Sequence, residues 1–271
     1  SDDDAAARGT YTATTLFSDI RRFTALAEKL TAQATVELLN EYFGEMGEIV
    51  LQSGGAVDKY IGDGLMAVFG APSASAVDAD SAARAATQMV ERLRQLNRQR
   101  AERGAQALEI GVGIASGEIV AGPVGSADRT DFTVIGDSVN LAARIETATI
   151  QYGTTIMLAG ETVERLVAPA RLRPIDLVRL KGKGNPTEIF ELLDHHTPES
   201  FPRLDEALPL FEEGIGLYRA RDWTRALDRF AQVLKIAPKD GPSWVYTDRC
   251  LVYRNHPPPD YWDGVWTMVR K

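Results

Sequence analysis

The chain has 271 residues, 44% hydrophobic and 25% charged, which suffices for one large domain or for one of roughly 150–200 residues with a small companion. A formal net charge of -8 excludes the broad basic face that duplex nucleic acid demands, yet leaves room for a basic pocket around one nucleotide. The single cysteine, Cys250, excludes an internal disulfide framework and a cysteine-based zinc site, and no run approaches the ~18 apolar residues of a membrane span.

The start, SDDDAAARGT, lacks an initiator Met and a signal peptide, so the chain reads as a fragment of a longer protein, cytoplasmic or the cytosolic part of a membrane-anchored parent. Residues 1–9 read as disordered or as the start of a linker. Tyr11 to Ile20, YTATTLFSDI, is β-branched and apolar and ends in an acid, which predicts a buried strand. Val36, Leu39, Phe43, Met46 and Val50 recur at steps of three and four, so Ala34 to Gln52 is expected as an amphipathic helix, stopped by SGG. Ala56 to Ile61 and Leu65 to Phe69 predict a hairpin around GDG. Asp78 to Arg103 carries Ala85, Met89, Leu93 and Leu96 on one helical face.

Leu108 to Ser116 predicts a second buried strand, and GEIVAGPVGSADRTDF after it reads as a glycine-broken excursion. TVIGD ends a strand and opens the helix SVNLAARIETATIQYG. TTIML, ARLRPIDLVRL and TEIFELL are short strands, with KGKGNP turning between the last two. Strands alternating with helices through residue ~194 indicate an α/β sandwich around one mixed sheet. DHHTPESFP is a polar linker over 195–202, and 203–271 is expected to be helical. There Gly214, Leu217, Ala226, Phe230, Val233 and Pro238 fall where a tetratricopeptide repeat places small, bulky and terminating residues. One helix pair cannot bury its own face, so it should pack on the α/β domain or on a second copy of the chain. Trp223, Trp244, Tyr261, Trp262 and Trp266 either form an interaction patch for a protein partner or pack a small core.

Asp63 sits between Gly62 and Gly64 at the hairpin tip, and Asp19 ends the first strand. A strand end and a neighbouring hairpin tip can meet at one sheet edge, where two carboxylates repel unless a cation lies between them. Hard oxygen ligands with no His or Cys nearby favour Mg²⁺ or Mn²⁺, whose remaining ligands are typically water and substrate phosphates. Asn140 and Arg144 share one helix face and suit a ribose and a phosphate. The two lysines of KGKG, in a glycine-rich turn, are equally phosphate-friendly. Taken singly, each feature is also compatible with a helix cap, a turn acid or a solvated surface group.

Together LFSDIRRFT, DKYIGDGLMAVFG, DFTVIGDSVNLAARIE and LKGKGNPTEIFEL resemble, in order and rough spacing, the class III nucleotidyl cyclases, over nearly all of residues 10–194. The resemblance implies a ferredoxin-like βαββαβ core followed by a small all-helical C-terminal segment. It implies the conversion of ATP to 3′,5′-cyclic AMP in a homodimer with two active sites, each built across the interface. By position, Asp19, Asp63 and the Ile20 carbonyl would hold two metal ions, and the amides around Phe23 and Thr24 would help hold phosphates. Lys59 stands where adenylyl members contact adenine, and where guanylyl members typically carry glutamate. Thr133 takes the second base-reading position, often Asp in other adenylyl cyclases. Asn140 would orient the ribose, Arg144 would contact the phosphate under attack, and Lys181 the terminal phosphates, with Arg129 a further phosphate candidate. Thr133 in place of Asp also resembles a subgroup that includes bicarbonate-responsive cyclases. An inactive cyclase fold serving as a dimerisation or regulatory module, and a guanylyl cyclase, remain as alternatives. A diguanylate cyclase would need a GG[DE]EF-type hairpin where this chain has IGDG.

Overall fold

The computed structural model describes residues 9–125, 130–180 and 186–268. They fall into two compact units, one running to Thr149 and including Thr155–Ala170, the other made of Ile150–Thr154 and the chain from Arg171 onward.

In the first unit, strand β1 (Gly9–Ile20) leads through the short helix α1 (Phe23–Ala27) to α2 (Ala32–Gln52), whose N-cap Thr31 accepts a hydrogen bond from the Ala34 amide at 3.2 Å. The hairpin β2 (Ala56–Ile61) and β3 (Gly64–Phe69) follows, then α3 (Asp78–Glu102) and β4 (Ile110–Gly125). The antiparallel order β2-β3-β1-β4 is that of a βαββαβ ferredoxin-like core. β5 (Thr130–Ile135) pairs with the far half of β4, and α4 (Asp137–Tyr152) leads to β6 (Ile156–Ala159), parallel to β4, and α5 (Gly160–Val163).

The period-2 alternation of β1 sorts its side chains. Leu16, Ser18 and Ile20 are buried on the face toward the helices, where the Ser18 and Tyr42 hydroxyls lie 3.0 Å apart. Ala13 packs on the other face with Met66, Val68, Ile119, Ala121 and Val134, and Phe17 joins that cluster from its edge. Asp19 follows Phe17 on this second face, at the end of the strand. α4 presses on β4 where Gly113 leaves room, since a Cβ there would stand 2.2 Å from the Glu146 amide nitrogen.

The described part of the segment expected as a glycine-broken excursion is instead strand. β4 continues to Gly125 and β5 begins at Thr130, because β1 on one side and β5 on the other satisfy its backbone in turn. The isolated glycines weaken that strand without ending it.

In the second unit, β7 (Leu172–Leu180) pairs antiparallel with β8 (Thr187–Leu192). Helices α6 (Leu204–Arg219), α7 (Trp223–Ile236) and α8 (Gly241–Asn255) share a core of Phe211, Tyr218, Phe230, Val233 and Tyr246 with Leu193. The segment is not wholly helical: β9 (Trp266–Met268) pairs parallel with β7. Its β-branched and aromatic residues fill an open strand edge, which local periodicity could not announce. The helices also draw charged partners from β7. Arg173 on β7 donates at 2.6 Å to both Glu191 and Asp240, and Arg249 on α8 donates to Asp176 at 2.6 Å. The aromatics divide. Trp223 and Trp262 pack with Tyr218 and Tyr253, Trp266 lies over the Arg249 guanidinium at 3.8 Å, and Trp244 and Tyr261 are exposed.

Candidate active site

The β2–β3 turn is tight because Gly62 takes φ 63°, a left-handed conformation that costs glycine nothing. That turn carries Asp63, and the β1–β3 register sets Asp19 directly opposite Gly64. The two acids therefore meet. Burial, the Asp63 charge and a hydrogen bond between the side chains push the Asp19 carboxyl up to about 6, against a smaller opposing pull from the Ile20 amide. A half-buried acid pair supplying only hard oxygens is a donor set that fits a Mg²⁺-type cation. Among the described residues no group of three or more His, Cys, Asp or Glu is placed to hold a metal ion. Just beyond, Arg22 adopts φ 57° and α1 starts at Phe23, so the Phe23 and Thr24 amides belong to a first helical turn without intrahelical acceptors.

Lys59 and Thr133 also meet. The ammonium donates to the Thr133 hydroxyl at 2.6 Å across the gap between β2 and β5. Beside them lies a cavity of about 350 Å³, walled by Val57, Val68, Ala71, Ala121 and Val134, with Asp58 on its rim. Asn140 and Arg144 project from the exposed face of α4, opposite its buried Leu141, Ala142 and Ile145. The Asn140 amide reaches back to the Gly136 carbonyl at 3.4 Å. Lys181 and Arg129 lie outside the described residues.

Two residues at the site escaped the sequence reading. Glu146, two positions after Arg144, is buried, and burial together with the charges of Asp19 and Asp63 pushes its carboxyl up to about 7, while Thr147 and Arg21 pull the other way. Its signal was an acid in line with the buried Leu141 and Ile145 rather than with Arg144. Asp58 accepts from the Thr133 hydroxyl at 3.3 Å and pairs with the Lys59 ammonium at 3.3 Å. Alternation along β2 would have sent it to the opposite face from Lys59.

Fold and site together define an α/β domain with an acid pair near the end of its first strand. The profile of the Adenylate and Guanylate cyclase catalytic domain matches residues 6–192, and the chain belongs to that family. A Dictyostelium discoideum adenylate cyclase, terminal-differentiation specific, is 32% identical over 88% of this chain, an alignment long enough to run past residue 192 into the C-terminal helices. An adenylate cyclase of Anabaena cylindrica is 38% identical over 70% of the chain. The chain spans only 11% and 38% of the lengths of these two relatives. Among solved structures, the adenylyl cyclase CyaB from P. aeruginosa superposes with a TM-score of 0.64 at 35% identity, covering 70% of this chain and 97% of that one. The guanylyl cyclase Cya2 gives 0.63 at 34% identity, covering 71% and 96%. The family uses divalent metal ions. Among the described residues no helix is long and apolar enough to cross a membrane.

Proposed function

We propose that this chain is an adenylyl cyclase catalytic region that converts ATP to 3′,5′-cyclic AMP and pyrophosphate. The observation that carries the choice of base is the 2.6 Å contact between Lys59 and Thr133, both held by Asp58 in the wall of an apolar cavity. An ammonium only donates, and adenine N1 accepts. Guanine N1 donates, so Lys59 faces it badly, and a site left with unpaired polar groups discriminates strongly.

Asp19, Asp63 and the Ile20 carbonyl would hold two divalent cations, Mg²⁺ or Mn²⁺, which lower the pKa of the ribose 3′-hydroxyl and neutralise charge on the triphosphate. Asn140 orients the ribose so that its 3′-oxygen lines up with the α-phosphorus. Arg144 binds the non-bridging oxygens of that phosphorus, where negative charge builds as the 3′-oxygen attacks and pyrophosphate departs. The Phe23 and Thr24 amides, with Lys181 and Arg129, hold the phosphates of the leaving group. No protein nucleophile is required.

The working unit is a homodimer. Lys59 and Asp63, on one hairpin, serve opposite sites, with the metal acids from one protomer and the base reader, Asn140 and Arg144 from the other. Exposed Val120, Val124 and Ile135, 46–55% accessible on the β4–β5 hairpin, supply an apolar surface for this pairing. The α6–α7 pair, with Gly214 under the Phe230 ring, acts as a tetratricopeptide-like hairpin, and the exposed Trp244 and Tyr261 offer a docking point for a protein partner. The likeness of Thr133, at the second base position, to bicarbonate-responsive members supports activation by bicarbonate, in a cytoplasmic protein or the cytosolic part of a membrane-anchored one.

The test is product identification after incubating the chain with ATP or GTP and either metal. Cyclic AMP from ATP is expected. Comparable cyclic GMP from GTP, or no cyclic nucleotide from either, overturns the reading.

A further inference from the structure

Neighbouring residues on a strand point to opposite faces, so Asp58 and Lys59 should diverge. They do not. β2 is irregular here: Val57 pairs with Ala67 and Lys59 with Met66, leaving Asp58 as an extra residue in a bulge. A bulge re-aims side chains, and this one lets both neighbours reach Thr133. The Asp58 side chain is 7% exposed, against 37% for Lys59, so the acid is the more sheltered of the two although it contributes to the cavity wall.

We propose that Asp58 is a positioning and specificity-determining residue that fixes the hydrogen-bond polarity of the base-reading pair. This rests on the adenylyl cyclase reading above. The inventory of donors closes around it. A threonine hydroxyl has one proton and two lone pairs, and an ammonium has three protons. The Thr133 proton goes to Asp58 at 3.3 Å, and one Thr133 lone pair takes a Lys59 proton at 2.6 Å. A second Lys59 proton faces Asp58 at 3.3 Å. What remains for a base is one N–H from Lys59 and one lone pair on Thr133. That complement matches adenine, whose N1 accepts and whose 6-amino group donates.

Asp58 thus makes a threonine act as the pure acceptor that an aspartate would be at that position. With its proton committed, Thr133 cannot turn to donate to guanine O6, and the near-complete burial of Asp58 keeps its carboxylate from accepting guanine N1–H. In Asp58→Asn the amide can donate to Thr133, which frees the hydroxyl proton for O6. Guanine then gains a donor and adenine loses its acceptor.

The experiment measures kcat/KM for ATP and for GTP with Mn²⁺ on the wild-type chain, Asp58→Asn, Thr133→Val, the double variant and Thr133→Ser. Asp58→Asn should lower the ATP:GTP ratio at least ~10-fold, largely through KM, since bidentate base recognition is lost without touching the reacting phosphorus. Thr133→Val should lower it comparably, and adding Asp58→Asn to Thr133→Val should change the ratio less than ~2-fold, because the acid acts through the hydroxyl. Thr133→Ser should keep the wild-type ratio. An unchanged ratio in Asp58→Asn, or additive losses in the double variant, overturns the proposal. If Asp58→Asn does not fold, the serine variant decides: loss of ATP preference with the hydroxyl retained overturns it. A wild-type chain that prefers GTP or turns over neither nucleotide defeats the adenylyl cyclase reading instead, a separate outcome.

Discussion

Asp19, next to last in β1, stands directly across from Gly64, so its carboxyl is within hydrogen-bonding reach of Asp63 at the tip of the β2–β3 hairpin. Removing one acid relieves a like-charge repulsion. Asp63→Asn should therefore raise the metal-free melting temperature at pH 8 by a few degrees while abolishing cyclase activity. It should also abolish the thermal shift that Mn²⁺ gives the wild type. A thermal melt with and without Mn²⁺ checks all three, and an undiminished Mn²⁺ shift would contradict the assignment.

Asp19 and the neighbouring Glu146 set a pH dependence. Asp19 is raised to about 6 and Glu146 to about 7, above their ordinary values. Groups raised on folding contribute stability that is complete below the unfolded pKa and is lost as pH climbs through the folded one. Metal-free protein should melt lower at pH 8 than at pH 5. Glu146→Gln should flatten the upper part of that fall, between pH 6 and 8. A melting curve insensitive to pH across this window would count against the buried, mutually repelling acids.

Arg144 is assigned to charge that exists chiefly in the transition state. Arg144→Ala should lose at least ~100-fold in kcat with a smaller change in KM. Steady-state kinetics decide: a large rise in KM at unchanged kcat would make Arg144 a ground-state phosphate anchor.

In the second unit, Asp176 accepts from Arg249 at 2.6 Å and from the Tyr152 hydroxyl at 2.5 Å, all three buried or nearly so. Asp176→Ala strands a buried guanidinium and should cost about 3–5 kcal/mol. Truncation after His195 goes further. It removes Asp240 from Arg173 and most of the apolar core that Leu193 joins, so β7 and β8 should lose their native pairing. Urea unfolding for the variant and hydrogen exchange over 172–192 for the truncation measure these effects.

Gly113 is a purely steric position. A methyl there meets the Glu146 amide nitrogen at 2.2 Å and the Ala142 carbonyl at 2.3 Å, and backbone cannot swing aside as a side chain can. Gly113→Ala should destabilise by about 2–3 kcal/mol and displace α4, carrying Asn140 and Arg144 with it. Urea unfolding beside the kinetics of the same sample tests both.

Much of this was readable along the chain. The strand and helix periods placed β1, α2, the β2–β3 hairpin, α3 and α4 within a few residues of their bounds, because each buries one regular stripe and the stripe is written locally. The acids Asp19 and Asp63 were legible as a pair, since a strand end and a hairpin tip of one sheet converge for reasons of topology. The hairpin of β4 and β5 was not, because its backbone is satisfied by two different partners along its length. β9 was not, because three residues carry no period. Asp58 was not, because its direction depends on a bulge, and a bulge is a property of the register between two strands. The amino-acid order thus determined the regularly patterned elements and the acids that meet at the end of β1. Only the tertiary structure decided which neighbours a buried carboxylate keeps, since burial and register raise Asp19 and Glu146 and turn Asp58 toward Thr133, and neither quantity exists until distant segments pack.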